Sequence, residues 1–152
     1  MFGKLTTREM EELLASNILG RIGCHADNIT YIVPISYAYK NKTVYCHSRE
    51  GTKIEMMRKN PEVCFEVDKL TDMANWKSII AWGKFEELAD ANERSEALEY
   101  LVHRVLPIIS SETTHLSSSW PFPPDNLNEI KGIVFKINIS NMTGRYERFQ
   151  QL

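Results

Sequence analysis

Two-residue alternation of apolar and polar side chains is the pattern that most restricts how this chain can fold. Successive side chains of a strand point to opposite faces, so one face can be buried while the other is solvated. The longest clear alternating segment runs from Thr30 to Tyr39, with a core face of Tyr31, Val33, Ile35, Tyr37 and Tyr39. Five further alternating segments are Leu19–His25, Thr43–His47, Val63–Asp68, Lys77–Leu88 and Ile133–Ile139. The sequence therefore predicts roughly six strands.

Polar turns join most of these strands directly to the next one, which favours an antiparallel arrangement. Such turns are predicted at Asp27–Asn28 and at Lys40–Lys42. Helices are expected after Thr6, Thr52 and Asp90, where a polar start precedes an apolar stripe. We therefore expect a mainly β fold with helical additions. Its roughly six antiparallel strands should close into a barrel, because closure removes exposed sheet edges.

Composition excludes several classes of function. The chain has 152 residues and a formal net charge of -2, so it lacks the overall basic field of nucleic-acid-binding domains. No apolar run is long enough to cross a membrane, and the first residues lack the apolar core of a signal peptide. The three cysteines, Cys24, Cys46 and Cys64, resemble buried free thiols. We expect a single domain over residues 1–152, located in the cytoplasm, with neither nucleic acid nor membrane as its partner.

The strong nucleotide and metal motifs are absent from the sequence. It contains neither the G-x-G-x-x-G of dinucleotide-binding folds nor the G-x-x-x-x-G-K-[ST] of P-loops. Cys24–His25 and Cys46–His47 combine two metal-ligating residue types. However, neighbouring residues of a strand point to opposite faces and cannot easily converge on one ion. We therefore predict no metal site.

The segment Thr43–Asn60 carries the clearest chemical signal. Its strand feeds through the polar turn Ser48–Gly51 into a helix that opens at Thr52–Lys53, which leaves several backbone N–H groups unpaired. These groups and the positive end of the helix dipole favour an anion. An ordinary basic turn in water is the alternative. Polar or cationic side chains come from Ser48, Arg49, Thr52 and Lys53.

His47 is the histidine placed best for chemistry, because it stands where the strand reaches the expected anion site. A ligand bound there would meet its imidazole, a group whose charge changes near neutral pH. A surface histidine that is satisfied by water or backbone is the alternative. Trp76 and Trp82 are interpreted as core or interface residues more readily than as ligand contacts.

The second face of the Thr30–Tyr39 strand carries small residues at Thr30, Pro34, Ser36 and Ala38. Such a face leaves room for a flat molecule to lie against the backbone. Proline has no N–H to donate to a neighbouring strand, so Pro34 predicts a sheet edge, a bulge or a gap that faces a ligand.

A long segment without regular periodicity lies between Pro107 and Asn128 and is rich in serine and proline. Long loops in compact domains are usually functional or disordered. Because low hydrophobicity is what keeps a segment unfolded, Trp120 and Phe122 favour a docked loop. We expect its Pro107–Pro124 part to cover a ligand cleft. Plugging of a barrel end or packing on a partner subunit is the alternative.

Several of these motifs, taken in order, resemble the pyridoxamine 5'-phosphate oxidase-like superfamily of FMN-binding split barrels, and within it the nitroimidazole-reductase-type proteins. The resemblance covers Thr6 to Leu88, with a weaker likeness at Gly132–Ile139 and Thr143–Gly144. Each motif is short, but their order and spacing together are specific. The matching pieces are Gly20–Gly23, Tyr31–Tyr39, Tyr45–Ser48, Gly51–Ile54, Asn60–Phe65 and Ser78–Glu86.

The resemblance implies a split-barrel homodimer that binds FMN in clefts between its subunits. The flavin ring would lie along the backbone of Val33–Ser36, and the phosphate side would be held by residues from His47 to Lys53. Other contacts would come from the dimer interface and from the long loop. The implied cofactor-binding residues are Val33, Pro34, Ile35, Ser36, His47, Ser48, Arg49, Gly51, Thr52, Lys53, Ser78, Trp82, Gly83 and Trp120.

Proteins of the nitroimidazole-reductase type place a histidine beside the flavin, and His47 matches that position. His47 is therefore the candidate catalytic residue, either to orient a substrate or to donate a proton. The chain departs from true pyridoxamine phosphate oxidases at Val33–Ala38, where neither basic residue of their Arg-x-x-Leu-Leu-Lys pattern is present. Oxidation of vitamin B6 is therefore disfavoured.

An FMN-dependent oxidoreductase acting on a small molecule is the function that the resemblance implies first. In such enzymes the cofactor carries the electrons and the protein supplies binding and orientation. The alternatives are a flavin-binding, redox-sensing module without turnover and a split barrel that holds haem or a deazaflavin.

Overall fold

The computed structural model describes residues 1–104, 114–116 and 126–149. Its strands are β1 Phe2–Lys4, β2 Leu19–Ala26, β3 Ile29–Ser36, β4 Ala38–Lys40, β5 Thr43–Ser48, β6 Glu62–Asp72, β7 Asn75–Glu87 and β8 Ile133–Glu147. Its α-helices are α1 Thr7–Ser16, α2 Thr52–Lys59 and α3 Ala91–His103, and a 3-10 turn spans Leu127–Glu129. This part of the chain is mainly β with helical additions, as the alternation predicts.

The strands form one antiparallel sheet. Neighbouring strands follow the order β3-β2-β6-β7-β8-β5-β4, and β1 pairs with the end of β8. The ends of this path, β3 and β4, are not paired with each other, so the sheet of the described residues is open. The expected closed barrel of roughly six strands is therefore corrected to an open sheet of eight strands.

Tyr37 is the physical reason that the predicted Thr30–Tyr39 strand becomes two strands. Its backbone N–H donates to the Ile18 carbonyl at 2.9 Å, and its hydroxyl donates to the Leu14 carbonyl at 2.6 Å. The buried ring meets Phe65 edge-on, with ring centroids 4.9 Å apart. Because these contacts take Tyr37 out of the ladder, β3 pairs with β2 while β4 pairs with β5.

A second difference lies between β6 and β7. The segment from Leu70 to Asn75 lacks the two-residue alternation of its neighbours, which predicts an irregular connection there. Both strands instead run further and form a long hairpin, with a register shift between Leu70 and Asp72. The Asp72 carboxylate accepts hydrogen bonds from the Ala74 N–H at 2.8 Å and from the Asn75 side chain at 2.9 Å. An aspartate side chain thus closes this turn, and no glycine or proline marks it in the sequence.

The alternation also predicts that the apolar residues of the other strands face inward, and this is confirmed for β2 and β6. Ile22 and Cys24 of β2 are buried, and so are Val63, Phe65 and Val67 of β6. The main core fills the space between the sheet, α1 and α2. A second, smaller core lies where α3 packs on β4 and β8.

The predicted turns and helix starts are also confirmed. Asp27–Asn28 and Asn41–Lys42 have positive φ angles, the conformation that a tight antiparallel hairpin requires. Thr6 and Glu9 make both hydrogen bonds of the capping box, and the Asp90 carboxylate accepts from first-turn amides of α3. No helix among the described residues is long and apolar enough to span a membrane.

The end predicted for the third helix differs from the structure. α3 ends at His103. In the sequence, the apolar stripe continues to Val105 and Pro107 is the expected stop. Val105 and Pro107 lie outside the described residues.

Candidate functional site

An uncapped helix N-terminus lies at the turn between β5 and α2. Gly51 occupies the N-cap position without a side-chain hydrogen bond, so the N–H groups of the first turn have no capping partner. A Cβ built at Gly51 would meet nothing within 4 Å, which shows that the space around this position is open. Together with the helix dipole, these amides make a place where a small anion is favoured.

Lys53 adds a positive charge beside these amides. Its side chain is half-buried, and within the described ranges it makes neither a hydrogen bond nor an ion pair. Burial lowers the pKa of Lys53, and the nearby thiols of Cys46 and Cys24 oppose this effect. Because this ammonium group has lost part of its water, a phosphate or carboxylate stabilises it more than it would an exposed lysine. We call the α2 amides and Lys53 the cradle.

The other polar side chains of the turn differ in exposure and in whether they already make a hydrogen bond. Ser48 is buried, and its hydroxyl donates to the Arg49 carbonyl at 2.9 Å. The side chains of Arg49 and Thr52 are exposed. The amides and Lys53 are therefore ready to bind an anion, whereas the Ser48 hydroxyl must first give up its hydrogen bond.

Arg58 holds this turn in place through two carboxylates. Its guanidinium contacts Glu50 at 2.7 Å and 2.9 Å and Glu87 of β7 at 2.9 Å, which ties the turn and α2 to the sheet. These hydrogen bonds, first to Glu87 and then to Glu50, raise the pKa of Arg58. The clamp also neutralises Glu50, an acidic side chain of the turn that would otherwise repel an anion.

β3 offers an open strip of backbone near this turn. It lies at one end of the sheet, so its side away from β2 has no strand partner in the described sheet, and it contacts β5. The predicted edge position of Pro34 is thereby confirmed. Ile35 is buried, while Val33 and Ser36 are half-buried. The second face is not uniformly small as predicted, because Ile32 stands on it with 69% of its surface exposed.

The imidazole of His47 lies against the segment that leads into β8. Its Nε2 is hydrogen-bonded to the Lys131 carbonyl, which can only accept, so Nε2 carries the proton and Nδ1 keeps its lone pair. Nδ1 is buried and has no hydrogen-bond partner in the described part of the chain. Gly132, with a φ of 101°, permits this close approach, because a Cβ there would lie 2.9 Å from Nε2.

The surroundings keep His47 neutral. Burial lowers the pKa of His47, the hydrogen bond to Lys131 opposes this, and the positive charges of Arg94, Arg104 and Arg49 lower it further. At neutral pH the group is therefore an acceptor at Nδ1. Orienting a ligand suits this form better than donating a proton does, and the catalytic role of His47 stays a prediction.

Ser78, Trp82 and Gly83 do not join this site within one chain. They lie on β7, which β2 and β6 separate from β3, a distance of about 14 Å across the sheet. Gly83 allows β7 and β8 to approach closely, because a Cβ at this position would lie 2.3 Å from the Asn138 carbonyl oxygen. Their predicted cofactor contacts need a second subunit. Trp120 and most of the loop predicted to cover the cleft lie outside the described residues.

Arg94, Arg104 and the Lys131–Gly132 pair are residues of this region that the sequence patterns do not single out. Arg94 donates to the Ile130 carbonyl at 2.6 Å, which fixes the segment against which His47 lies. A glycine just before a strand is the signal that could have indicated this close approach. The two arginines become neighbours of His47 only through the packing of α3.

Comparison with known protein families identifies the fold. The sequence profile described as "Pyridoxamine 5'-phosphate oxidase" matches residues 6–146. The chain belongs to the pyridoxamine 5'-phosphate oxidase family. The resemblance indicated by the sequence motifs is thereby confirmed. Membership of the pyridoxamine 5'-phosphate oxidase family also agrees with the antiparallel sheet and its three helices.

Individual relatives of this family member extend the comparison. An uncharacterised protein of Rhizobium meliloti is 37% identical over 89 residues, which span 58% of this chain and only 59% of that protein. A FAD-binding protein of Mesorhizobium loti superposes with a TM-score of 0.73 at 31% identity, over 96% of this chain and 98% of that one. A candidate 5-nitroimidazole antibiotic resistance protein of Bacteroides thetaiotaomicron shares the fold, with a TM-score of 0.71 at 22% identity over 96% and 87% of the two chains.

Replacing His47 by Gln should remove a pH-dependent part of the protein's stability. The pKa of His47 is lowered from its ordinary value of 6.5, so the folded state binds fewer protons than the unfolded state. Its contribution is present above that ordinary value and is lost as the pH falls through the lowered pKa. Urea unfolding between about pH 7 and pH 5 should therefore show a shallower loss of stability in His47→Gln than in the parent.

His25→Gln is the matched control, because His25 is exposed and its imidazole contacts only the Thr30 hydroxyl, at 3.0 Å, among the described side chains. This variant should keep the slope of the parent protein. Parallel stability profiles for His47→Gln and the parent would contradict the buried, neutral state of His47.

Proposed function

We propose that this chain binds FMN and uses it as an oxidoreductase acting on a small molecule. The observation that carries the proposal is the cradle: the amides of α2 have no side-chain cap, and the half-buried Lys53 has no partner among the described residues. The open edge of β3 adds a strip of backbone near it. A flavin monophosphate uses both features, the first for its phosphate and the second for its ring.

The phosphate end suits the cradle in charge and in hydrogen-bonding groups. A phosphate monoester carries close to two negative charges at neutral pH and offers several acceptor oxygens. The first-turn amides of α2 donate to such oxygens, and Lys53 supplies the counter-charge. The Mesorhizobium loti relative is described as FAD-binding, and FAD contains the same ring and first phosphate. We propose FMN because the cradle has a single half-buried cation, which suits one phosphate.

The ring would lie along Val33–Ser36, where the unpaired backbone of β3 can meet its polar edge. A bound flavin supplies electron transfer to and from small molecules. The chain's own residues orient the ligands and exclude water. Ile32 and Pro34 provide apolar cover on the outer face of β3. The Nδ1 lone pair of His47 is buried without a partner, so it becomes a hydrogen-bond acceptor for a substrate N–H or O–H once the side chains that cover it move.

We propose that a second copy of the chain completes the cleft. The outer face of the sheet exposes Ile32, Ile80 and Trp82, with 69%, 39% and 42% of their surfaces accessible. The register places Ile32 and Trp82 in one row across the sheet, through Gly23 and Cys64. Contiguous apolar faces of this kind mark interaction sites, and two-fold dimers are the commonest assemblies. Symmetric pairing would bring β7 of the second copy towards the cleft.

Lys53→Ala should weaken FMN binding and leave riboflavin binding nearly unchanged, because riboflavin lacks the phosphate. Loss of a hydrogen bond to a charged group costs about 1.5–3 kcal/mol, which is roughly a 10- to 150-fold weaker FMN affinity. Quenching of flavin fluorescence measures both ligands. Lys42→Ala, in the exposed turn between β4 and β5, is the control and should bind FMN as the parent does. Unchanged FMN affinity in Lys53→Ala would place the phosphate elsewhere.

Trp82→Glu should convert the protein from a dimer into a monomer, because it buries a charge in the proposed interface. Light scattering at micromolar concentration should give the parent a mass of twice 17.6 kDa and the variant a mass of 17.6 kDa, with weaker FMN binding in the variant. Thr7→Glu also adds one negative charge, at an exposed position of α1, which packs on the core face of the sheet, and it should stay dimeric. A parent protein that is monomeric with and without FMN would exclude the shared cleft.

The purified protein should be yellow, with about one FMN per chain, and should oxidise a reduced nicotinamide when a nitroaromatic acceptor is added. Its absorption spectrum separates a flavin from haem and from a deazaflavin. Reloading the flavin-free protein with FMN should restore the rate, and His47→Gln should lower it. If the protein binds one FMN per chain but reduces no acceptor, the oxidoreductase proposal fails and a redox-sensing module is the function that remains.

A further inference from the structure

A pocket of about 490 Å³ lies between the end of α1, strand β4 and the end of α3. Its volume is in the range of small-molecule sites. Its lining contains none of the residues from Val33 to Ser36 or from His47 to Lys53. It is therefore a site separate from the flavin cradle.

Arg104 lines this pocket without a partner. Its Nε and Nη1 atoms are buried and make no hydrogen bond, and none of the described residues forms an ion pair with it. Burial lowers the pKa of Arg104 to about 10, so the guanidinium is still charged at neutral pH. A buried charge without a counter-ion is costly, and an anion is what would relieve that cost.

The other lining residues give the pocket a cationic end and aromatic walls. The Lys40 ammonium lies 4.6 Å from the centre of the Tyr100 ring. The Glu99 carboxylate is hydrogen-bonded to His103 at 2.9 Å and makes no ion pair with the guanidinium. The aromatic walls are Tyr39 and Tyr100; Tyr37 also borders the pocket, but its side chain has no exposed surface.

We infer that this pocket binds a small aromatic carboxylate, with its carboxylate on Arg104 and its ring against the tyrosines. A guanidinium matches a carboxylate in planarity as well as in charge. The tyrosine rings offer the flat apolar surface that an aromatic body needs. The inference does not rest on flavin binding, because the two sites share no lining residue.

A ligand in the pocket should also change the pKa of His47. Four neighbouring groups act on this imidazole: Arg94 and Arg104 at α3, Arg49 after β5, and the Lys131 carbonyl before β8. A carboxylate bound to Arg104 would cancel part of the positive charge that lowers the pKa of His47. That pKa should therefore rise when the pocket is filled.

Calorimetric titration of the full chain with benzoate, and with benzyl alcohol as a neutral ring of similar size, tests the inference. Benzoate should bind about tenfold more tightly, a difference of about 1.4 kcal/mol. Arg104→Met should lose this preference, and Arg8→Met, which removes an exposed arginine of α1, should keep it. Equal binding of both probes to the parent, or an unchanged preference in Arg104→Met, would overturn the inference.

Further readouts separate binding from folding. In an NMR titration, benzoate should raise the pKa of His47 in the parent and have no effect on it in Arg104→Met. Ala15→Trp, at an exposed position of the lining, should block benzoate while leaving the guanidinium in place. Without benzoate, Arg104→Met should melt at a higher temperature than the parent, since it removes an unpaired buried charge. A lower melting temperature would show that Arg104 has a structural partner and would count against the site.

Discussion

Two hydrogen bonds from one buried residue, Tyr37, determine how the rest of the sheet is arranged. Because they tie Tyr37 to the end of α1, the strand that pairs with β2 ends at Ser36, and the next strand begins at Ala38 in register with β5. β3 is left at an edge with one side of its backbone unpaired. The open strip of β3 precedes this break, and the Arg104 pocket is lined by the residues that follow it, Tyr37 to Lys40.

The charge distribution is the second feature that connects the parts of the structure. The chain is slightly acidic overall, with a formal net charge of -2. Even so, the positive charges of Arg49, Arg94 and Arg104 together lower the pKa of His47 on β5. Lys53 is half-buried near the thiol of Cys46, on the same strand β5. Net charge rules out an overall basic field, but it does not report a local cationic region. Recognition of small anions depends on the local region.

Local patterns predicted most of the strands, the turns and the β5–turn–α2 unit, because alternation, caps and turn residues act over a few neighbouring positions. The short strand β1 was not predicted. The break at Tyr37 could not be predicted this way, since the alternation continues across it and the two carbonyls that cause it come from the α1 region. Arg94 and Arg104 look like ordinary helix charges until α3 packs beside β5. The small face of β3 was incompletely predicted, because it contains Ile32 as well.

The turn that leads into α2 is held on its two sides by interactions of different kinds. The Arg58 side chain is 39% exposed where it contacts Glu50, so dissolved ions screen that contact. The hydrogen bond from His47 to the Lys131 carbonyl joins a neutral imidazole to a neutral acceptor, and salt has far less effect on a contact without net charges. Rising ionic strength would therefore loosen the Glu50 side of the turn while the His47 side keeps its geometry.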